Sequence, residues 1–340
     1  MELPRLAATR EEWERVRRPG LVEDWRRILG KLEPSGEDRR WFHEVPLARE
    51  IGRTELPGYT RIHLELALEK DFWQPSLLLV PPGFAGARPA VIAWTSTTPD
   101  WQEPEKNWGA WLAERGFVVL TGWSHIRNYR DRSSYSKQAS EKVYERFGRW
   151  AGLSRMVWDV RQQAAYLRSL GGVDGGRIGF MGFSLSAKTA VYVGAFAPEI
   201  AAVVAIDPHI ALNGGTNFYA PWYMDWTREF PDIDTPQKTV LSLLNSDPGR
   251  PGLEHDHHEL LALAAPKPFL LIGGAGDRED SGGDSDDRQS WAYANRAHEI
   301  YRLLGARERF RFALTTDGHH ANGPAIDAAW REWLMRWLGR

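Results

Sequence analysis

Cysteine is missing from this chain of 340 residues. Its absence excludes disulfide bonds, thiolate nucleophiles and cysteine-ligated metal sites. The chain also lacks an apolar run near 18 residues in length, so we expect no membrane-spanning helix. Neither sign of charge is in excess, because the formal net charge is −2 and basic and acidic residues are interleaved. The sequence therefore favours neither nucleic acid nor a membrane surface as a partner.

The first ten residues contain no apolar segment of the kind that forms the core of a signal peptide. On this ground we expect a cytoplasmic protein, while a secreted protein whose signal peptide had been removed would begin in the same way. A hydrophobic content of 42% and a charged content of 26% are typical of a globular protein. The chain has 17 tryptophans, which can belong to a core or form exposed flat surfaces for sugar rings.

The pattern of apolar residues divides the chain into two parts. Residues 1–57 are charged and carry apolar residues at helical spacing, which predicts an N-terminal helical extension. Residues 58–340 alternate strands with helices, which predicts an α/β domain with a mostly parallel central sheet and helices on both faces. Residues 207–258 interrupt this alternation and predict a lid or a pocket wall. The predicted strands are 61–66, 76–80, 89–94, 117–121, 178–181, 201–206, 268–272 and 309–314.

The segment 177–190 reads RIGFMGFSLSAKTA and organises the rest of the domain. Ile178–Met181 predicts a strand, and the small residues that follow Ser184 predict a helix. This is the pattern of a nucleophile elbow, a sharp strand-to-helix turn with a serine at its apex. Gly182 and Ser186 leave room for the strand and the helix to approach each other. The alternative is an ordinary turn in which the serine caps the helix.

A serine nucleophile requires a base and an acid that orients the base, and candidates for both follow the elbow. The penultimate predicted strand leads into a glycine-rich turn with Asp277, the preferred acid, and Asp280, its rival. The last predicted strand leads into His319, the preferred base, and its neighbour His320. Both turns leave the carboxyl ends of strands, where the geometry of a parallel sheet would bring them beside Ser184.

Two further groups are expected to stabilise the negative charge that develops during attack by the serine. They are the N–H of Leu185, at the start of the helix, and a donor at Thr95, after the strand 89–94. Trp222, from an aromatic cluster in the 207–258 segment, and His258, near its end, are candidate substrate contacts.

The sequence Glu254–His258, EHDHH, is the segment that most resembles a metal site. Its spacing is not that of a recognised zinc site, and capping of the following helix is the commoner use of such residues. We therefore predict no metal and no cofactor.

At the residues described so far, the chain resembles the α/β-hydrolase superfamily. More closely, it resembles the bacterial esterases grouped with acetyl xylan esterases and glucuronoyl esterases. The resemblance extends over residues 60–340, and an N-terminal lead-in resembles these esterases too. The segments that carry it are 173–184, 256–268 and 300–305.

The glucuronoyl esterases have the elbow motif G-C-S-R-x-G-K. Gly182, Ser184 and Lys188 match this motif, whereas Leu185 replaces an arginine associated with stabilising the oxyanion. The resemblance implies that Lys188 contacts a sugar, and the alternative is a surface lysine with its ammonium in water. The family also has a second position for the acid, a glutamate after the strand that follows the elbow. No glutamate is present at residues 207–209, which favours Asp277.

The sequence thus predicts a serine carboxylic ester hydrolase that acts through an acyl-enzyme. Its expected substrate is a carbohydrate ester, acetyl or related, or a small acyl ester. A serine peptidase or amidase on the same fold and a non-catalytic binding protein are the alternatives.

Overall fold

The computed structural model describes residues 3–84, 86–95, 100–123, 142–208, 210, 212, 244, 253–274, 288–317 and 323–339. In this part of the chain nine strands form one sheet in the order β1-β2-β3-β5-β4-β6-β7-β8-β9. The strands are β1 Ala48–Leu56, β2 Tyr59–Glu69, β3 Phe72–Val80, β4 Arg88–Trp94, β5 Val118–Gly122, β6 Val173–Phe183, β7 Ala202–Ile206, β8 Phe269–Gly274 and β9 Phe310–Thr315.

Within the group of six strands β4 to β9, every neighbouring pair is parallel. β1, β2 and β3 pair with one another in antiparallel fashion. β3 is also antiparallel to β5. The residues of β4, β5, β7 and β8 are nearly all buried. This is the continuous burial expected of parallel strands covered on both faces.

Helices cover both faces of the sheet. They are α1 Arg10–Glu12, α2 Arg18–Leu29, α3 Ala110–Ala113, α4 Gly152–Ser169, α5 Leu185–Phe196, α6 His257–Leu263, α7 Arg288–Leu303 and α8 Pro324–Trp337. Trp13–Arg17 and Glu105–Gly109 are π-helical, Gly36–Trp41 and Arg307–Arg309 are 3₁₀-helical, and residues 142–147 form a further helical stretch.

The two faces of the sheet have separate cores. One core joins α2, α4, α5, α6 and α7 to the sheet, and the other joins α3 and α8 to it. The strand order, the parallel centre and the two covered faces confirm the predicted α/β class.

The sequence predicted helical structure throughout residues 1–57, whereas Ala48–Leu56 forms β1. This strand was missed because eight of its nine residues are exposed, so it shows no alternation of apolar and polar residues. As a consequence β2, which includes the predicted strand 61–66, has a neighbour on each side. The helical residues before it, among them Trp13 and Trp25, are fully buried in the same core as the sheet.

Candidate active site

Ser184 lies at the turn between β6 and α5 with φ 54° and ψ −110°. A residue with a side chain rarely adopts positive φ, and such strain costs about 1–3 kcal/mol unless the surroundings hold it. Two main-chain hydrogen bonds do so here. The Ser184 N–H donates to the Ile206 carbonyl of β7 at 2.9 Å, and the Lys188 N–H donates to the Ser184 carbonyl at 2.9 Å. This strained strand-to-helix turn is the geometry of a nucleophile elbow.

Gly182 and Ser186 fit closely on either side of this turn. A Cβ atom at position 182 would overlap the Ser186 carbonyl and lie 2.7 Å from the Ser186 Cβ. A glycine is therefore required at 182. Ser186 is fully buried, and its hydroxyl donates a hydrogen bond to the carbonyl oxygen of Thr95.

Thr95 follows β4 directly, and the register of the sheet pairs Trp94 with Gly182. Thr95 is therefore beside the elbow. The Thr95 hydroxyl donates to the Glu103 carboxylate at 2.5 Å. Leu185 is the first residue of α5, where N–H groups have no partner within the helix. The turn at Thr95 and the N-terminus of α5 thus meet at the carboxyl edge of the sheet, next to Ser184.

Asp207, directly after β7, was not among the predicted site residues. It is the second residue other than glycine with positive φ in the described chain, at 58°. It is 3% exposed, and its N–H donates to the Ile272 carbonyl of β8 at 2.8 Å. Its strain and burial at the edge that carries Ser184 make it a further candidate for the acid. An aspartate directly after a buried strand was the available signal.

Lys188 is one helical turn beyond Ser184 on α5, and it is 2% exposed. The alternative of a surface lysine with its ammonium in water is therefore wrong. The positive charge of Lys188 acts on His257, a fully buried residue of α6. Burial first, and this charge to a smaller extent, lower the pKa of His257 to about 3.

His257 is held by two buried hydrogen bonds. Its Nδ1 lies 2.6 Å from the Ile210 carbonyl, and its Nε2 lies 2.7 Å from the Tyr192 hydroxyl of α5. The ring also stacks on Trp25 of α2, with 6.1 Å between ring centroids. These contacts connect the start of the 207–258 segment to the serine-bearing helix and to the N-terminal part of the chain.

The neighbours of His257 have structural partners as well. Asp256 caps α6 by accepting a bond from the His257 N–H at 2.7 Å, and it also accepts from the Leu212 N–H at 3.1 Å and the Tyr293 hydroxyl at 2.8 Å. Within the described ranges, His, Asp and Glu side chains nowhere converge in threes in a way that could hold a metal ion. The observed role of Asp256 in this segment is to cap α6.

His255 pairs with Glu259, with 3.0 Å between Nδ1 and Oε2, and the same oxygen accepts from the Trp25 indole at 2.8 Å. Burial alone would lower the pKa of His255, but the hydrogen bond and the charge of Glu259 outweigh it and raise this pKa.

His258 is 1% exposed and packs edge-on against Tyr293 of α7, with 6.0 Å between ring centroids. Neither ring nitrogen has a hydrogen-bond partner among the described residues. Burial, followed by the charges of Arg296 and His255, lowers its pKa to about 3. Its predicted contact with substrate stays a prediction.

Several predicted site residues lie outside the described residues, namely Trp222, Asp277, Asp280, His319 and His320. The strands that lead to the last four are described. β8 ends at Gly274 and β9 ends at Thr315, both parallel to β6 and at the same edge of the sheet as Ser184.

Within the described ranges, no helix combines the length and apolar character needed to cross a bilayer.

Comparisons with known proteins give a match to one family model and matches to solved structures. The family model described as "Dienelactone hydrolase family" matches residues 88–225. By sequence, the chain matches none of the curated proteins.

Among solved structures, the chain is similar to a glucuronoyl esterase from Solibacter usitatus, with a TM-score of 0.70 and 15% identity, over 96% of this chain and 93% of the other. A glucuronoyl esterase from Teredinibacter turnerae has a TM-score of 0.68 and 19% identity to this chain, and the match covers 97% of this chain and 86% of the other. A candidate acetyl xylan esterase from Bacteroides fragilis has a TM-score of 0.61 and 15% identity, and the match covers 93% of this chain and 77% of the other. At these identities the likeness establishes the fold: the chain is an α/β-hydrolase in architecture.

Proposed function

We propose that this protein is a serine carboxylic ester hydrolase that acts through an acyl-enzyme. The observation that carries the proposal is the strained positive-φ conformation of Ser184, between the turn at Thr95 and the first N–H groups of α5. A backbone strained in this way places the serine hydroxyl at the carboxyl edge of the sheet, where a base can reach it.

In the proposed reaction His319 takes the proton of the Ser184 hydroxyl as its oxygen attacks the ester carbonyl. Asp277 orients the imidazole and stabilises its charged form. The carbonyl oxygen becomes an oxyanion, held by the Leu185 N–H and a donor of the turn at Thr95. The alcohol leaves with the proton from His319, and water then hydrolyses the acyl-enzyme by the same steps.

The substrate we propose is a carbohydrate ester, acetyl or related, or a small acyl ester. The structural neighbours described as glucuronoyl and acetyl xylan esterases support this choice. Hydrolysis of a panel of acetylated, feruloylated and uronate-ester sugars, with an aminoacyl anilide beside them, tests it. Faster cleavage of the anilide than of every ester would favour a peptidase or amidase.

The central test is Ser184→Ala. We expect turnover to fall roughly 10³-fold or more, with folding retained, and labelling by a fluorophosphonate to disappear. Ser169→Ala is the matched control, because its hydroxyl donates to the Tyr166 carbonyl at the C-terminal end of α4. This end of α4 leads into the start of β6, whereas Ser184 follows the end of β6. Ester hydrolysis by folded Ser184→Ala at the wild-type rate would refute the proposal.

Two solution properties should accompany this mechanism. Hydrolysis should increase with pH as His319 loses its proton, because only the neutral imidazole accepts a proton from the serine. Activity should persist in EDTA. Loss of activity to the chelator, restored by zinc, would assign the chemistry to a metal instead.

A further inference from the structure

The turn after β4 is held from two sides at Thr95. On one side the buried hydroxyl of Ser186 donates to the Thr95 carbonyl. On the other side the Thr95 hydroxyl donates to Oε2 of Glu103. Oε1 of the same carboxylate accepts from the Asn107 amide at 3.3 Å, so a residue of the following π-helical turn fixes the carboxylate.

These bonds determine which side-chain and carbonyl atoms of Thr95 can stabilise an oxyanion. A carbonyl oxygen is only an acceptor, and a hydroxyl has a single proton to donate. The Thr95 hydroxyl gives that proton to Glu103 and is not available to a substrate oxygen.

We propose that Ser186 and Glu103 are positioning residues for the oxyanion site, acting through Thr95; this inference rests on the proposed esterase function. Ser186 belongs to the first turn of α5, which also carries the Leu185 N–H. Its bond to Thr95 therefore fixes the two donor-bearing segments relative to each other. Glu103 holds the same residue through the Thr95 hydroxyl, so that Thr95 is fixed from a second direction.

The geometry of an oxyanion site has a large effect on rate because its donors act on charge that develops in the transition state. Removing one donor from such a site lowers kcat roughly 10²–10³-fold. A donor that is displaced but present should cost less, about 10–100-fold, and mainly in kcat, because a ground-state carbonyl is bound less strongly than the oxyanion.

The test compares kcat, KM and thermal unfolding of wild type with those of Ser186→Ala, Glu103→Leu and Glu103→Gln on an ester that the wild type hydrolyses. We expect Ser186→Ala and Glu103→Leu to lower kcat about 10–100-fold with KM nearly unchanged. Glu103→Gln retains an oxygen acceptor for the Thr95 hydroxyl and should keep most of the wild-type kcat.

Ser154→Ala is the matched control for Ser186→Ala. Ser154 is also buried, and its hydroxyl donates to a main-chain carbonyl, that of Lys31, at 2.6 Å. It should lower the melting temperature to a similar extent and leave kcat unchanged. Should Ser186→Ala fail to fold, the contrast between Glu103→Leu and Glu103→Gln still decides.

Unchanged kcat in folded Ser186→Ala and Glu103→Leu, with wild type active, would overturn the inference and leave the esterase function intact. An equal loss of kcat in Ser154→Ala would also overturn it, because the effect would then follow from stability alone. A wild type that hydrolyses no ester and takes up no fluorophosphonate at Ser184 would overturn the proposed function and this inference together.

Discussion

Replacing His258 by leucine should make the folded chain more resistant to acid. The imidazole is buried with no hydrogen-bond partner among the described residues, and its pKa is lowered to about 3 from an ordinary 6.5. Between these values the unfolded chain binds a proton at this site and the folded chain does not. The free energy of unfolding therefore falls as the pH decreases from about 6.5 towards 3.

The magnitude follows from the two pKa values. At pH 5 the ordinary histidine is almost fully protonated, and the difference between the two states corresponds to about 2 kcal/mol of lost stability. At pH 8 both states are neutral and the contribution vanishes. Leucine does not titrate, so His258→Leu should gain about 2 kcal/mol over wild type on going from pH 8 to pH 5. Any fixed cost of repacking against Tyr293 cancels in this comparison.

The assay is urea unfolding of both proteins at pH 8 and at pH 5. His257→Leu is the matched control on the next residue, since the pKa of His257 is also about 3. Relative to wild type, His257→Leu should gain the same free energy of unfolding between pH 8 and pH 5. At pH 8 it should be less stable than wild type by about 1–3 kcal/mol, because it loses the bonds to Ile210 and Tyr192. A stability difference between His258→Leu and wild type that is equal at the two pH values would refute the reasoning.

Two further predictions concern the reaction. Asp277→Asn should lower kcat roughly 10⁴-fold, because the acid fixes the tautomer and orientation of the base. Asp280→Asn and Asp207→Asn should lower it far less, and a larger loss in Asp207→Asn would place the acid directly after β7. Lys188→Met should lower kcat/KM for a sugar ester roughly tenfold, the scale of a charge-assisted hydrogen bond, and leave an aryl acetate nearly unchanged. Equal losses on both substrates would show that the lysine acts through the fold.

The elements that the sequence predicted well are those whose signal is local. Buried parallel strands have continuous apolar runs, and the strand predicted at 201–206 agrees with β7 to within one residue. Apolar residues at helical spacing over 153–170, followed by a glycine pair, indicate a helix that agrees with α4 to within one residue at each end. The elbow was recognisable for the same reason, since strand, serine and helix are consecutive in the chain.

The features that the sequence did not predict depend on contacts between distant parts of the chain. β1 has an exposed, charged pattern, and only its pairing with β2 makes it a strand. The burial of Lys188 depends on helices packed around α5, and nothing at position 188 itself indicates it. The positive φ of Asp207 is visible only in the backbone.

The histidines of Glu254–His258 show what a local pattern leaves out. Clustered His and Asp suggest metal ligands, but buried polar groups require partners, and here those partners come from elsewhere in the chain. His255 shares the Glu259 carboxylate with the Trp25 indole, 234 residues away from Glu259 in sequence. A network of this kind cannot be deduced from spacing, because each bond joins residues that only the fold brings together.

The same network fixes the described residues at the two ends of the 207–258 segment relative to the serine. Near its start, the Ile210 carbonyl is bound by His257 and the Leu212 N–H by Asp256. Towards its end, the N–H groups of Glu254 and His255 both donate to the Leu244 carbonyl at 3.0 Å. His257 also bonds Tyr192 on α5, the helix that Ser184 opens. The points at which this segment leaves and rejoins the regular fold are therefore set relative to the nucleophile by buried hydrogen bonds, which are costly to break.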